Sequence, residues 1–182
     1  MDRRVARTRK LILNAFLKLL KEKGFEKITI QDIADEADIN RGTVYLHFED
    51  KYHLMDYCID SYVDEMLTQC SGSEEIKIKR DSLQMIFDYL RENKEIYKLL
   101  LENDKNGAFL KKMESAVEEQ VKIAVDHTSA KKGKEADILI RFLVSGFLGV
   151  MDLWIRSYPD TSPEEATDLL MDMLKPYMEN LF

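Results

Sequence analysis

Residues 29–51 read Thr-Ile-Gln-Asp-Ile-Ala-Asp-Glu-Ala-Asp-Ile-Asn-Arg-Gly-Thr-Val-Tyr-Leu-His-Phe-Glu-Asp-Lys. Ile30, Ile33, Ala34 and Ala37 recur at i, i+3, i+4 and i+7, which is one apolar face of a short helix. Thr29 stands just before that helix and Asp32 follows three residues later. The hydroxyl can accept a bond from a free backbone N–H, and the acid suits the positive helix end. A break follows at Asp38-Ile39-Asn40. Asp tolerates the left-handed backbone that tight turns require. Asn40 is a good cap for a second helix, predicted over 41–48. Two short helices joined by such a turn make a helix-turn-helix, whose second helix can lie in the major groove of DNA.

On that second helix, Arg41, Thr43, Tyr45 and His47 are expected to face outward, with Val44 and Phe48 turned into the core. Gly42 leaves room for close backbone approach. Arg41 can give two bonds to guanine O6 and N7, and Thr43 can bond a base edge or touch a thymine methyl. Thr29, Tyr45, His47 and Lys51 are expected on phosphate oxygens, which position a protein without reading sequence.

The run from Ile12 to Leu54 resembles the DNA-binding domain of the tetracycline-repressor (TetR) family of bacterial transcription regulators. The resemblance rests on Ile12, Ala15, Phe16, Gly24, Phe25, Thr29, Ile30, Ile33, Ala34, Ala37, Ile39, Gly42, Tyr45, His47, Phe48, Lys51 and Leu54. Asp38 stands where the family usually has Gly, and Asn40 where it often has Ser; both keep the backbone chemistry. Tyr52 stands where an acid often follows the lysine, which leaves the next helix start less well explained. The resemblance implies a DNA-binding head, a diverse helical body, and dimerisation through the last two helices of that body.

Composition agrees with an all-α fold. The 182 residues are 45% apolar, with three prolines and seven glycines, and β-type alternation is nearly absent. The formal net charge of −7 argues against a protein that coats DNA non-specifically. The charge is uneven: residues 1–51 hold 11 Lys and Arg against 9 Asp and Glu, and residues 52–182 hold 16 against 25. That asymmetry fits a DNA-binding domain over 1–51 and an acidic ligand-binding and dimerisation domain over 52–182. A helix over about 50–69 links the two, and Ser71-Gly72-Ser73 is the first clear linker.

Toward the N-terminus, Arg3, Arg4, Arg7, Arg9 and Lys10 are expected to form an arm that neutralises phosphates. A helix from about Val5 to Lys23 follows, ended by Gly24. Further helices are predicted over 76–91, 94–102 and from 106 to about His127. Residues 138–155 are almost wholly apolar. Arg141 and Asp152 make a bilayer span costly there, so a helix buried on two sides is expected instead. Ser145, Gly146 and Gly149 would let another helix come close. Ser162-Pro163-Glu164-Glu165 is a strong helix start, and Pro176 should kink or fray that helix.

Function follows as a set of expectations. The protein is predicted to be a cytoplasmic homodimeric repressor of double-stranded operator DNA, paired through residues 138–156 and 162–180. A small-molecule inducer would enter between helices 76–91, 106–127 and 138–156. Phe87, Tyr97, Phe109, Met113, Phe142 and Trp154 are the candidate lining, and Arg141 the charge for an acidic ligand. The alternative is a regulator or activator switched by a partner protein. Cys58 and Cys70 lack metal-ligand spacing, and with no signal-peptide pattern free thiols are expected. No phosphate loop, zinc pattern or calcium loop is present. His47, His53 and His127 are the only histidines, and none sits in a catalytic arrangement, so no cofactor, metal, membrane association or enzymatic activity is predicted.

Overall fold

The first helix, α1 (Arg3–Lys23), ends where Gly24 takes φ 73°, a left-handed conformation that a side chain resists. A 3-10 turn, Phe25–Lys27, redirects the chain into α2 (Ile30–Glu36) and α3 (Arg41–Tyr45). The computed structural model describes residues 3–70, 80–104, 106–128, 132–158 and 160–178. Six further helices follow: α4 (Lys51–Cys70), α5 (Arg80–Glu92), α6 (Lys94–Asn103), α7 (Ala108–Thr128), α8 (Lys134–Ser157) and α9 (Pro163–Met178). Among the described residues every regular element is helical. Residues 76–79 and the linker Ser71-Gly72-Ser73 lie outside the described residues.

The basic N-terminus is helical where an arm was expected. Arg3, Arg4, Arg7, Arg9 and Lys10 occupy the first turns of α1, because no Gly or Pro interrupts a run of good helix formers. The Thr8 hydroxyl donates to the Arg4 carbonyl at 3.0 Å, and the Arg9 guanidinium lies over the Tyr57 ring at 5.4 Å.

Phe16, Ile33, Val44, Phe48 and Leu54 are at most 1% exposed and form the core of the head. The same apolar core continues along α4 through Cys58, Ile59, Val63 and Met66 into the body. Phe48 packs on Tyr57 at the near end, with ring centroids 5.2 Å apart. Toward the far end, Tyr97 donates its hydroxyl proton to the Tyr62 carbonyl at 3.3 Å, and Lys112 pairs with Asp60 at 2.9 Å. α4 is therefore shared between head and body. The start of α4 has its own cap despite Tyr52. Asp50 accepts from the His53 N–H at 2.8 Å, and the His53 ring Nδ1 accepts from the Glu49 N–H at 3.2 Å. Asp50 thus acts as the N-cap, while the His53 ring reaches back one residue further, to the N–H before the cap.

α8 is long and apolar enough to cross a membrane. In the bundle, Ile140, Leu143, Val144, Phe147, Met151, Trp154 and Ile155 are buried. Its exposed residues include Ile138, Phe142, Ser145, Gly146, Gly149 and Leu153, spaced i, i+4, i+7, i+8, i+11 and i+15. That is a second stripe on the opposite side of the same helix. α9 is capped by Ser162, whose hydroxyl accepts from the Glu165 N–H at 3.1 Å. It runs to Met178 with Pro176 inside it, so the proline does not end the helix. Leu169, Met173 and Tyr177, again four apart, are exposed along α9.

Candidate nucleic-acid interface

The recognition elements are fixed by short-range capping. Thr29 and Asp32 form a full capping box at the start of α2. The Thr29 hydroxyl accepts from the Asp32 N–H at 3.1 Å and donates to the Asp32 carboxylate at 2.7 Å. Lys23 pairs with the same carboxylate at 2.8 Å. The lysine and the threonine together hold the Asp32 carboxyl down to about 2. Thr29 is exposed, with its hydroxyl oriented by the cap it makes with Asp32. Between the helices Asp38 takes φ 52°, the left-handed turn anticipated there. Asn40 accepts from the Gly42 N–H at 2.8 Å and starts α3.

α3 is shorter than predicted and closes at Tyr45, but the chain keeps turning. Phe48 still donates its N–H to the Val44 carbonyl at 2.9 Å. Val44 and Phe48 are 0% and 1% exposed and anchor this turn in the head. Arg41, Gly42 and Tyr45 are exposed, while Thr43 and His47 are half-buried. Arg41 donates to the Tyr45 hydroxyl at 2.9 Å and stacks over its ring at 5.3 Å. The expected face of 41, 43, 45 and 47 alternates with period two, which is the repeat of a strand. With the helical repeat the most outward large side chain is Leu46, 83% exposed, and it was missed for that reason. Lys51 turns inward and donates to the Phe25 and Glu26 carbonyls at 3.1 and 3.0 Å. It clamps the 3-10 turn, and one of its three N–H groups remains for a phosphate.

The expected ligand residues separate into two groups. Phe87, Tyr97, Phe109 and Met113 are 0% exposed and Trp154 is 6% exposed. Phe87 and Trp154 meet edge to face at 5.2 Å, as do Tyr97 and Phe109 at 5.4 Å. The Trp154 ring N–H is taken by the Thr161 carbonyl at 3.1 Å. Phe142 and Arg141 do not join them. Phe142 is 51% exposed and rests on Tyr177 of α9, with centroids 5.1 Å apart. Arg141 is exposed and ion-paired with Glu114 of α7. Both lie on or beside the outer stripe of α8, so helical geometry turns them away from the core.

A cavity of about 240 Å³ lies where head meets body, lined by residues including Phe25, Tyr52, Met55, Ile59 and Asn103. Asn103, the last residue of α6, accepts there from the Phe25 N–H at 3.0 Å. Nothing local in the sequence marks that contact between residues 78 positions apart. Cys58 is fully buried, and burial pushes its thiol up to about 12. It has no thiolate to offer a redox signal. Cys70 and His127 carry side chains outside the described residues.

Comparison with known proteins agrees with this architecture. Residues 12–58 match the family model described as bacterial regulatory proteins, tetR family. Residues 80–176 match the model described as transcriptional regulator C-terminal region, which alone covers more than half of the chain. A TetR transcriptional regulator from Streptococcus agalactiae 2603V superposes with a TM-score of 0.73 at 26% identity, over 95% of this chain and 96% of that one. The dihydroxyacetone kinase operon activator DhaS gives 0.70 at 20% identity, over 94% and 96%. The uncharacterized HTH-type transcriptional regulator YxbF of Bacillus subtilis (strain 168) is 20% identical over 90% of this chain, which spans only 43% of that relative's length. With a helix-turn-helix head and a helical C-terminal region each matched by its own model, the chain belongs to the TetR family of bacterial transcriptional regulators.

Proposed function

We propose that the protein acts in the cytoplasm as a homodimer that binds a palindromic operator in double-stranded DNA and represses transcription until a small molecule releases it. The observation that carries the DNA-binding part is the outward face of 41–46. Arg41, Tyr45 and Leu46 project from a turn that Val44 and Phe48 lock into the head. Arg41 and Thr43 are the base readers; Tyr45, His47 and the remaining N–H of Lys51 are the phosphate contacts.

Dimerisation is supported by two glycines that the chain itself does not need. A Cβ added at Gly146 or Gly149 would meet nothing within 4 Å. Each glycine inside a helix costs about 0.5–1 kcal/mol relative to alanine. Both lie on the apolar outer stripe of α8, which Phe142 and Tyr177 join to the stripe of α9. A second copy packed closely on these stripes explains both the small residues and the exposed apolar ones. Two-fold pairing would present two copies of α3 to two half-sites.

For the switch, the inducer would select a conformation in which the group around Phe87, Tyr97, Phe109 and Met113 is open. These side chains are fully buried here. The second reading is a regulator or activator switched by a partner protein in place of the small molecule. An activator, DhaS, shares the fold at a TM-score of 0.70, so the sign of regulation does not follow from architecture.

The test is selection of bound sequences from random duplex DNA, then gel shift with and without a metabolite panel. An inverted repeat should be enriched. Arg41→Ala should lose roughly 1–3 kcal/mol and relax one position in each half-site. Failure to enrich any sequence, or wild-type binding by Arg41→Ala, would sink the DNA-reading assignment.

A further inference from the structure

We propose that Leu46 is the residue that enters the groove deepest and that it selects thymine by its 5-methyl group. The inference rests on the DNA-binding reading above. A single exposed leucine is ordinary on a protein surface; its position is what singles this one out. Val44 and Phe48 define the inward direction of the recognition turn, both essentially unexposed. At 3.6 residues per turn, Leu46 lies about 180° from the mean of those two directions. Its backbone is still helical, with φ −67° and ψ −18°, and its N–H bonds to the Gly42 carbonyl at 3.1 Å. The helical step of about 100° per residue therefore extends to this position.

Two neighbours shape what Leu46 can meet. Gly42, one turn earlier on the same face, has no side chain, so nothing beside Leu46 stands higher. A Cβ there would meet only the Asn40 cap, at 3.3 Å. The Arg41 and Tyr45 pair, held together at 2.9 Å, stands to one side; Thr43 stands to the other. The apex of the face is thus apolar and its flanks are polar. An aliphatic side chain has no hydrogen bond to give a base edge. Of the groups in the major groove it complements the thymine methyl, the apolar one.

The experiment uses the full chain and the site selected from random DNA. Each thymine of that site is replaced in turn by deoxyuridine, which deletes only the methyl. Wild type should bind about fourfold more weakly when one critical thymine is replaced, and about fifteenfold when its symmetry mate is replaced as well. Leu46→Ala should bind the thymine and uracil duplexes equally, with an unchanged salt slope, since no phosphate contact is lost. Its melting temperature should match wild type, because Leu46 is 83% exposed and outside the core. Insensitivity of wild type to uracil at every position would overturn the proposal, as would the same sensitivity in Leu46→Ala. Absence of any selected site would overturn the DNA-binding reading itself, a different and distinguishable result.

Discussion

Replacing both Gly146 and Gly149 by alanine sets two effects of opposite sign against each other. In an isolated chain the added methyls meet nothing within 4 Å. Each change then only improves helix propensity, by about 0.8–1.0 kcal/mol. The pair would stabilise the fold by about 2 kcal/mol and raise Tm by roughly 4–8 °C for a chain of this size. In the proposed dimer the same methyls enter a close helix–helix contact, and two-fold symmetry doubles their number. Overpacking of that kind costs about 1–3 kcal/mol per site. With four such sites at about 1 kcal/mol or more each, the dissociation constant of the dimer should rise about a thousandfold or more, and the concentration dependence of Tm should weaken accordingly. Sedimentation equilibrium over a dilution series, with thermal unfolding at each concentration, reads both quantities. An unchanged dissociation constant together with a Tm raised by about 4–8 °C would refute the placement of these glycines in an interface.

Asn103→Ala removes the acceptor for the Phe25 N–H in a half-buried setting and should lower urea stability by about 1–3 kcal/mol. Asn103→Asp keeps an acceptor oxygen and should lose less; equal losses in the two variants would show that the bond is not the cause. For Asp32, a carboxylate held at about 2 in the folded state contributes stability above its unfolded value. That contribution falls away as pH drops from about 4 towards 2. The stability gap between wild type and Asp32→Asn should therefore shrink across this window in urea titrations, and a constant gap would contradict the capping-box account.

What the sequence disclosed was chemistry completed within a few residues. Thr29 with Asp32, Asn40 with Gly42, and Ser162 with Glu165 are capping pairs separated by two or three positions, and each forms. Asp38 announces its own turn for the same reason. A two-residue repeat read onto a short helix leaves Leu46 out of the outward face, although it is 83% exposed. Phe142 was drawn into the core because α8 looks apolar on every side. Only its division into two stripes reveals which aromatic belongs outside. The Asn103 contact to Phe25 is legible nowhere in the chain, since it depends on how the end of α6 meets the turn after α1.

That contact changes how the head is held. Were α4 the sole tie to the body, the head could pivot about one helix axis at little cost. The structure supplies a second tie, from Asn103 to the turn between α1 and α2, on a different element from α4. Lys51, on the first turn of α4, grips the same turn through the Phe25 and Glu26 carbonyls. The 3-10 turn is therefore held from both the α6 side and the α4 side. Two separated ties fix an orientation where one fixes only a position. A rearrangement at the α6–α7 corner would pull on the turn, and the turn leads directly into the Thr29 cap of α2. Any body conformation that releases or shifts Asn103 thus acts, through one hydrogen bond and then the chain itself, on the helix-turn-helix by a route that does not run through α4. The two routes are separable. Changes on the Lys112–Asp60 contact act on α4, and changes at Asn103 act on the turn. Coupling carried by both would make the paired substitutions non-additive in DNA affinity.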